Sequence, residues 1–410
     1  MNISIESVRK ISEELKEPEW VRNFRLGAFE ESEKLPIPQS RYSKLPGFSL
    51  GNFKIMPPSN DLKKELYGDA DFVQVDNQIV KTPTLDKVIV ENISDAFRNR
   101  SGLFERYIFN RKRDSISHDK FEMLTFSLYS SGMFVYVPEG AKSTEPLYAN
   151  FFLTATDSIM FAPVVVIAEK GADLKIIQNF KSISKSGDSV LSAAVYLFLE
   201  DGSHIEYVSI RESGENLYSF STFHSHLKNG ARLDWRHAWF GGKLQRANII
   251  NYLEGEDSKT DEVQVFFLDN KEHLDITSRL EHIAPRTTSR VLVKGALRDR
   301  ARAVFQGNVR IEKNAQETDS FLSDHVLLLN PGARADSIPA LEIEANQVRA
   351  SHSASIGQID EEQVFYLMSR GLDESDAKKT IVSGFLSPAI DSIPHEHVRE
   401  RFWKSFESRW

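Results

Sequence analysis

Between residues 126 and 350 the sequence is built from short runs rich in Val, Ile, Phe and Tyr, separated by polar turns. Examples are "MFVYVPEGA", "APVVVIAEKGADLKIIQNF", "AAVYLFLEDGSHIEYVSI" and "FHSHLKNGARLDWRHAWF". A turn glycine recurs at Gly140, Gly171, Gly202, Gly230 and Gly255, and again at Gly332. The first intervals are about 31, 31, 28 and 25 residues, a period that marks stacked structural repeats. Each glycine falls where a strand must turn sharply with positive φ. Repeats of this kind fit a parallel β-helix (β-solenoid), in which each coil buries its apolar face on its neighbours. A β-sandwich also has many short strands and regular turns. The length of the strand region favours the solenoid, because it exceeds what one sandwich needs.

The flanks read differently. Residues 1–125 form an N-terminal, mostly helical domain. Ile5, Val8, Ile11 and Leu15 share one helical face, and Pro18 opens a second helix carrying Trp20, Phe24 and Ala28. Residues 34–48 are a proline-rich loop, and a third helix is expected near 93–109. Residues 126–359 are the solenoid core, and 360–410 a C-terminal helical domain. There Asp360 caps a helix with Gln363 completing a capping box, and Val364, Phe365 and Met368 supply its apolar face. Gly371 stops that helix. Asp373 starts the next, with Ala377, Ile381 and Phe385 on its face and Pro388 after its end. Pro394 opens the last, on which Val398, Phe402 and Phe406 align.

Composition narrows the chemistry. The net charge of −8 does not suit a nucleic-acid or anionic-membrane binder. The longest apolar runs are too short to span a bilayer, and "MNISIESVRKISEELKEPEW" has no signal-peptide core, so a cytoplasmic protein is expected. There is no cysteine, which removes thiolate catalysis and thiolate metal ligation within the chain. No phosphate-binding glycine loop and no catalytic Ser/His/Asp set is visible, so any ATP must be bound by a partner.

The segment 294–371, "KGALRDRARAVFQGNVRIEKNAQETDSFLSDHVLLLNPGARADSIPALEIEANQVRASHSASIGQIDEEQVFYLMSRGL", resembles the SufB/SufD family of the SUF iron–sulfur cluster assembly system. Weaker resemblance runs through 119–141 and 17–29. The resemblance implies a right-handed parallel β-helix between helical terminal domains. It also implies a non-catalytic scaffold subunit that works with a SufB-type subunit and the SufC-type ABC ATPase. Within the family the chain is closer to SufD, since Ile343 in "LEIEAN" stands where SufB carries a cysteine. At the next motif, Ala350-Ser351-His352-Ser353 keeps a histidine and lacks the cysteine of many relatives.

His352 is the candidate metal residue, because imidazole can ligate iron–sulfur centres. The other reading is a histidine that only hydrogen-bonds across an interface. No cofactor is expected to be held tightly by the isolated chain; a cluster would be shared in the complex. The ATPase is expected on 360–410, and a SufB-type subunit or a second copy at the solenoid end near His352. Nucleic acid and membrane are not expected partners. Other groups have plainer readings. His224 and His226 share one side of a strand without a third ligand in sight, and His395 and His397 precede the last helix. Arg298, Arg300 and Arg302 alternate as on one strand face, and Trp235 and Trp239 read as core. Two other functions fit less of the sequence. One is a homodimeric family member acting without SufB. The other is a carbohydrate-active β-helix enzyme, which would need a catalytic carboxylate set.

Overall fold

The computed structural model describes residues 1–56, 68–85, 87–109, 119–183 and 187–410. Its core is a parallel β-solenoid of two sheets, one of ten strands and one of nine. From Ile159–Ala168 to Asp319–Leu328 successive strands alternate between the sheets, so each pairs with the strand two before it and the strand two after it. Inward residues follow the two-residue strand period and stack in rows along the axis. One such row in the ten-stranded sheet runs Ile176, Tyr207, Trp235, Glu262, Val291, Leu322, His352. The lumen is filled mostly by aliphatic and aromatic side chains of this kind.

The turn repeat continues further than its glycines. Gly140, Gly171, Gly202 and Gly230 take positive φ of 68°, 66°, 67° and 63°. Each amide bonds the carbonyl of the residue preceding the next member, and the series goes on through Asp257, Arg286 and Glu317. Those three also lie in the left-handed region, at 60°, 59° and 60°. Gly255 and Gly332 are not members. Gly255 is glycine because a Cβ would lie 2.1 Å from the Lys228–Asn229 backbone. Gly332 is required by Asp299, whose carbonyl oxygen would be 2.6 Å away.

Helices cover the outer faces. Helix Ile5–Glu14 is capped by Ser4, and helix Glu19–Lys34 is preceded by Pro18, as its sequence suggests. They pack with helix Lys120–Leu128 against the nine-stranded sheet. The sequence reading missed that helix because it is buried almost all round and lacks an amphipathic period. It also missed strands Phe72–Val75, Gln78–Lys81 and Ile89–Asn92, which are only four residues each. The third helix is broken: Ile93–Asn99 ends at Arg100, and a short helical turn Ser101–Phe104 follows. The buried Arg25 guanidinium joins this region together. It pairs with Glu17 at 2.6 Å and bonds the carbonyls of Ser127 and Tyr129.

The C-terminal helices Glu374–Ile390 and Glu396–Glu407 cover the ten-stranded sheet. Phe402 meets Phe240, and Phe406 meets Phe267, each at 4.9 Å between ring centroids. Pro388 lies inside the first of these helices rather than beyond its end. The helix continues because Ala389 and Ile390 are buried on the sheet. Among the described residues no helix is long and apolar enough to cross a membrane.

Candidate functional site

The two ends of the solenoid differ. At its start, Gln78–Lys81 pairs antiparallel with Phe72–Val75, and Ile89–Asn92 pairs antiparallel with Met133–Val137. Reversed strands thus terminate both ladders. At its finish, Arg334–Ile343 is the last strand of one sheet and Arg349–Gln358 of the other. Each pairs on one side only. Exposed, unpaired parallel edges invite strand pairing with another chain.

The inward rows run out into solvent here. Ser337, Pro339, Leu341 and Ile343 continue the rows of Phe305, Gly307, Val309 and Ile311. Ala350, His352, Ala354 and Ile356 continue those of Ser320, Leu322, Asp324 and Val326. His352 therefore stands on the lumen-facing row of the last strand, yet it is exposed because no coil lies above it. Ile343 and Ile356 are exposed for the same reason. One coil beneath, Asp324 is buried with neither carboxylate oxygen hydrogen-bonded. Burial pushes its pKa up to about 6, opposed by the facing Ser337 hydroxyl. Sequence reasoning passed over Asp324, although its even position in "DSFLSDHVLL" would have placed it inward once the register was known.

Among the described residues no three His, Asp or Glu side chains come together as a metal set. His352 has no second His, Asp or Glu ligand set around it among the described residues. The other sequence candidates serve local roles. His224 stacks on Tyr196 and approaches Glu122 at 3.2 Å, and His226 bonds Glu254 at 2.9 Å. His395 meets Glu206 at 3.2 Å, and His397 bonds the Tyr148 hydroxyl at 2.9 Å. Arg298, Arg300 and Arg302 do not share a strand face. They span the turn between Thr288–Leu297 and Arg302–Ile311, and Arg298 bonds the carbonyls of Arg409 and Trp410. Trp235 and Trp239 do share the lumen face, as their spacing suggests.

A second feature follows the last strand. Helix Glu361–Ser369 is capped by the Asp360 carboxylate, which accepts from the Glu362 amide at 2.9 Å. Gly371 ends it with φ of 101°. Its apolar residues split between two faces. Val364 is buried, whereas Phe365, Tyr366 and Met368 are 71%, 57% and 42% exposed. Phe365 and Met368 therefore do not join Val364 on one packed face.

Comparison with known proteins places this architecture. Residues 151–385 match the family model "SUF system FeS cluster assembly, SufBD core domain". The chain belongs to the SufBD family of iron–sulfur cluster assembly proteins. It is 27% identical to the "Iron-sulfur cluster assembly protein SufD" of Bacillus subtilis, over 100% of this chain and 98% of that protein. It is also 27% identical to an "Iron-sulfur cluster assembly SufBD family protein" of Staphylococcus saprophyticus, over 96% of this chain and 90% of the other.

Proposed function

We propose that this chain is a SufD-like, non-catalytic scaffold subunit that builds iron–sulfur clusters in the cytoplasm together with a SufB-type subunit and a SufC-type ABC ATPase. The observation that carries this reading is the unequal treatment of the solenoid ends. At the start short antiparallel strands end the ladders over a buried core, while at the finish two full-length parallel strands leave an inward-facing row open to solvent. An uncapped coil exposes both backbone donors and apolar side chains, and a facing chain satisfies both at once. His352 lies on that face, in reach of a partner's ligands; among the described residues no three His, Asp or Glu side chains come together as a metal set.

The exposed Phe365, Tyr366, Met368 and Leu372 support a second contact, with the ATPase. Such a cluster of large apolar side chains is what a docking helix presents. No nucleotide-binding loop occurs in this chain, so nucleotide work falls to that partner. A family member that self-dimerises through the same end without a SufB-type subunit is the second reading, because the exposed edges suit either occupant. The carbohydrate-enzyme reading loses its footing with the family membership.

The test is co-expression of the full chain with SufB-type and SufC-type proteins, followed by sedimentation of the purified material. A ternary complex containing this chain supports the scaffold reading. A stable dimer of this chain alone, unchanged by excess SufB-type protein, selects the self-dimer.

A further inference from the structure

Among the described residues, one cation in the lumen has no counter-charge. Arg211 lies on the inward row Phe180–Arg211–Trp239, with further coils on both sides. Its guanidinium carbon is 5.3 Å from the Phe223 ring centroid, 5.5 Å from Trp239 and 5.9 Å from Phe180. Neither Nε nor Nη1 has a hydrogen-bond partner. Burial lowers its pKa only to about 10, with the Tyr207 phenol opposing, so it stays charged at neutral pH.

His237 sits in the next row on the adjacent strand, between Trp235 and Trp239 at 5.1 and 5.6 Å. Both of its ring nitrogens also lack partners. Burial first, then the Arg211 and Arg236 charges, push its pKa down to about 3, which keeps it neutral. The one lumen carboxylate in this stretch, Glu262, is engaged by Gln264, Ser278 and Asn251. Arg211, His237 and Ser209 each keep 2% exposure and Gln178 keeps 4%. All four lie on lumen-facing positions of their strands.

A buried charge without a partner costs several kcal/mol, roughly, even after relaxation. Four polar nitrogens without partners add to this, and cation–π contact relieves only part of it. The ordinary remedies are absent, because Arg211 keeps its proton and no carboxylate among the described residues acts on it. From this we infer that the lumen between Arg211 and His237 binds a small monovalent inorganic anion of the halide class. One negative charge balances one guanidinium. A divalent oxyanion would leave a net charge buried against the rings of Phe180, Phe223 and Trp239. Arg211 supplies two N–H donors and the neutral imidazole a third. The anion acts as an internal counter-ion of the fold, independent of what assembles at the open end.

The test compares thermal unfolding of the full chain in sodium chloride, sodium bromide and sodium methanesulfonate at equal ionic strength. The unfolding midpoint rises with halide concentration in the wild type. In Arg211→Met, which fills similar volume without charge, the difference between halide and methanesulfonate is lost. Equal midpoints for the wild type in all three salts overturn the inference. A second measurement needs no variant. Wild-type protein refolded and crystallised in bromide shows an anomalous-scattering peak between Arg211 and His237. Density for water alone at that place, with no bromide signal, also overturns it.

Discussion

His352 stands directly above Leu322 in the parallel ladder of the last two strands of its sheet. Leu322 is sealed in the lumen; His352, in the same row, is open to solvent. The difference between them is one missing coil. Whatever supplies that coil in an assembly meets an imidazole where the rows below hold Leu322 and Val291.

Substituting His352→Ala separates the two readings of this residue. An exposed side chain contributes little to the fold, so the unfolding midpoint of the chain should not move. If the imidazole is a ligand, the complex with a SufB-type subunit forms normally but carries less iron and sulfide per complex. If it is only an interface hydrogen bond, cluster content per complex stays constant and association weakens by about 0.5–1.5 kcal/mol. Sedimentation and iron–sulfide analysis of the same sample read both.

The proposed ATPase contact is tested at Phe365 and Tyr366 rather than by truncation at Asp360. Truncation would strip Phe402 and Phe406 from Phe240 and Phe267 and uncover a buried sheet face. The double substitution Phe365→Asp, Tyr366→Asp touches only exposed positions. Stability should change by less than about 1 kcal/mol, while affinity for the SufC-type protein drops at least about tenfold. Unchanged affinity by titration calorimetry would remove this helix from the interface.

Glu17→Ala should be among the costliest single changes outside the lumen. It leaves the fully buried Arg25 with two carbonyls and the Tyr129 ring, 3.6 Å from its guanidinium carbon, but no carboxylate. Removing one partner of a buried pair costs about 3–5 kcal/mol. Denaturant unfolding measures it, and a loss below about 1 kcal/mol would show the pair to be dispensable.

Stability should also depend on His282. Its ring bonds Thr287 at 2.7 Å and Ser289 at 2.9 Å, and burial pushes its pKa down to about 3. The folded chain keeps it neutral while the unfolded chain protonates it near the ordinary 6.5. Its contribution is therefore complete above pH 6.5 and is lost as pH falls from there toward 3. The non-titrating variant His282→Gln should be less stable at pH 8. The gap should then narrow below pH 6.5, by up to about 1.4 kcal/mol per pH unit. A gap that stays constant from pH 8 to pH 5 would contradict the buried neutral form.

Glu317 closes the turn series in a left-handed conformation. Its side chain is exposed, so Glu317→Gly removes backbone strain and little else. The expected gain is about 0–1 kcal/mol, the strain relieved less the added freedom of the unfolded glycine. A clear loss in chemical denaturation would mean that the carboxylate has a role in the turn.

The sequence by itself determined the solenoid, because short apolar runs separated by polar turns at nearly constant intervals are local properties of the chain. It determined the caps at Asp360 and Asp373 for the same reason. The segment around His352 also carried the family resemblance without any coordinates. The tertiary structure decided what register decides. It showed that the turn series passes from Gly230 to Asp257, Arg286 and Glu317, where no glycine marks it. It placed Arg298, Arg300 and Arg302 in a turn, since alternation alone does not say where a strand stops. It put Phe365 outside while Val364 went in, because which face of a helix is covered depends on what packs against it. Asp324, Arg211 and His237 became visible only when stacked coils brought their rows together, and each coil separates neighbours in a row by about thirty residues of chain.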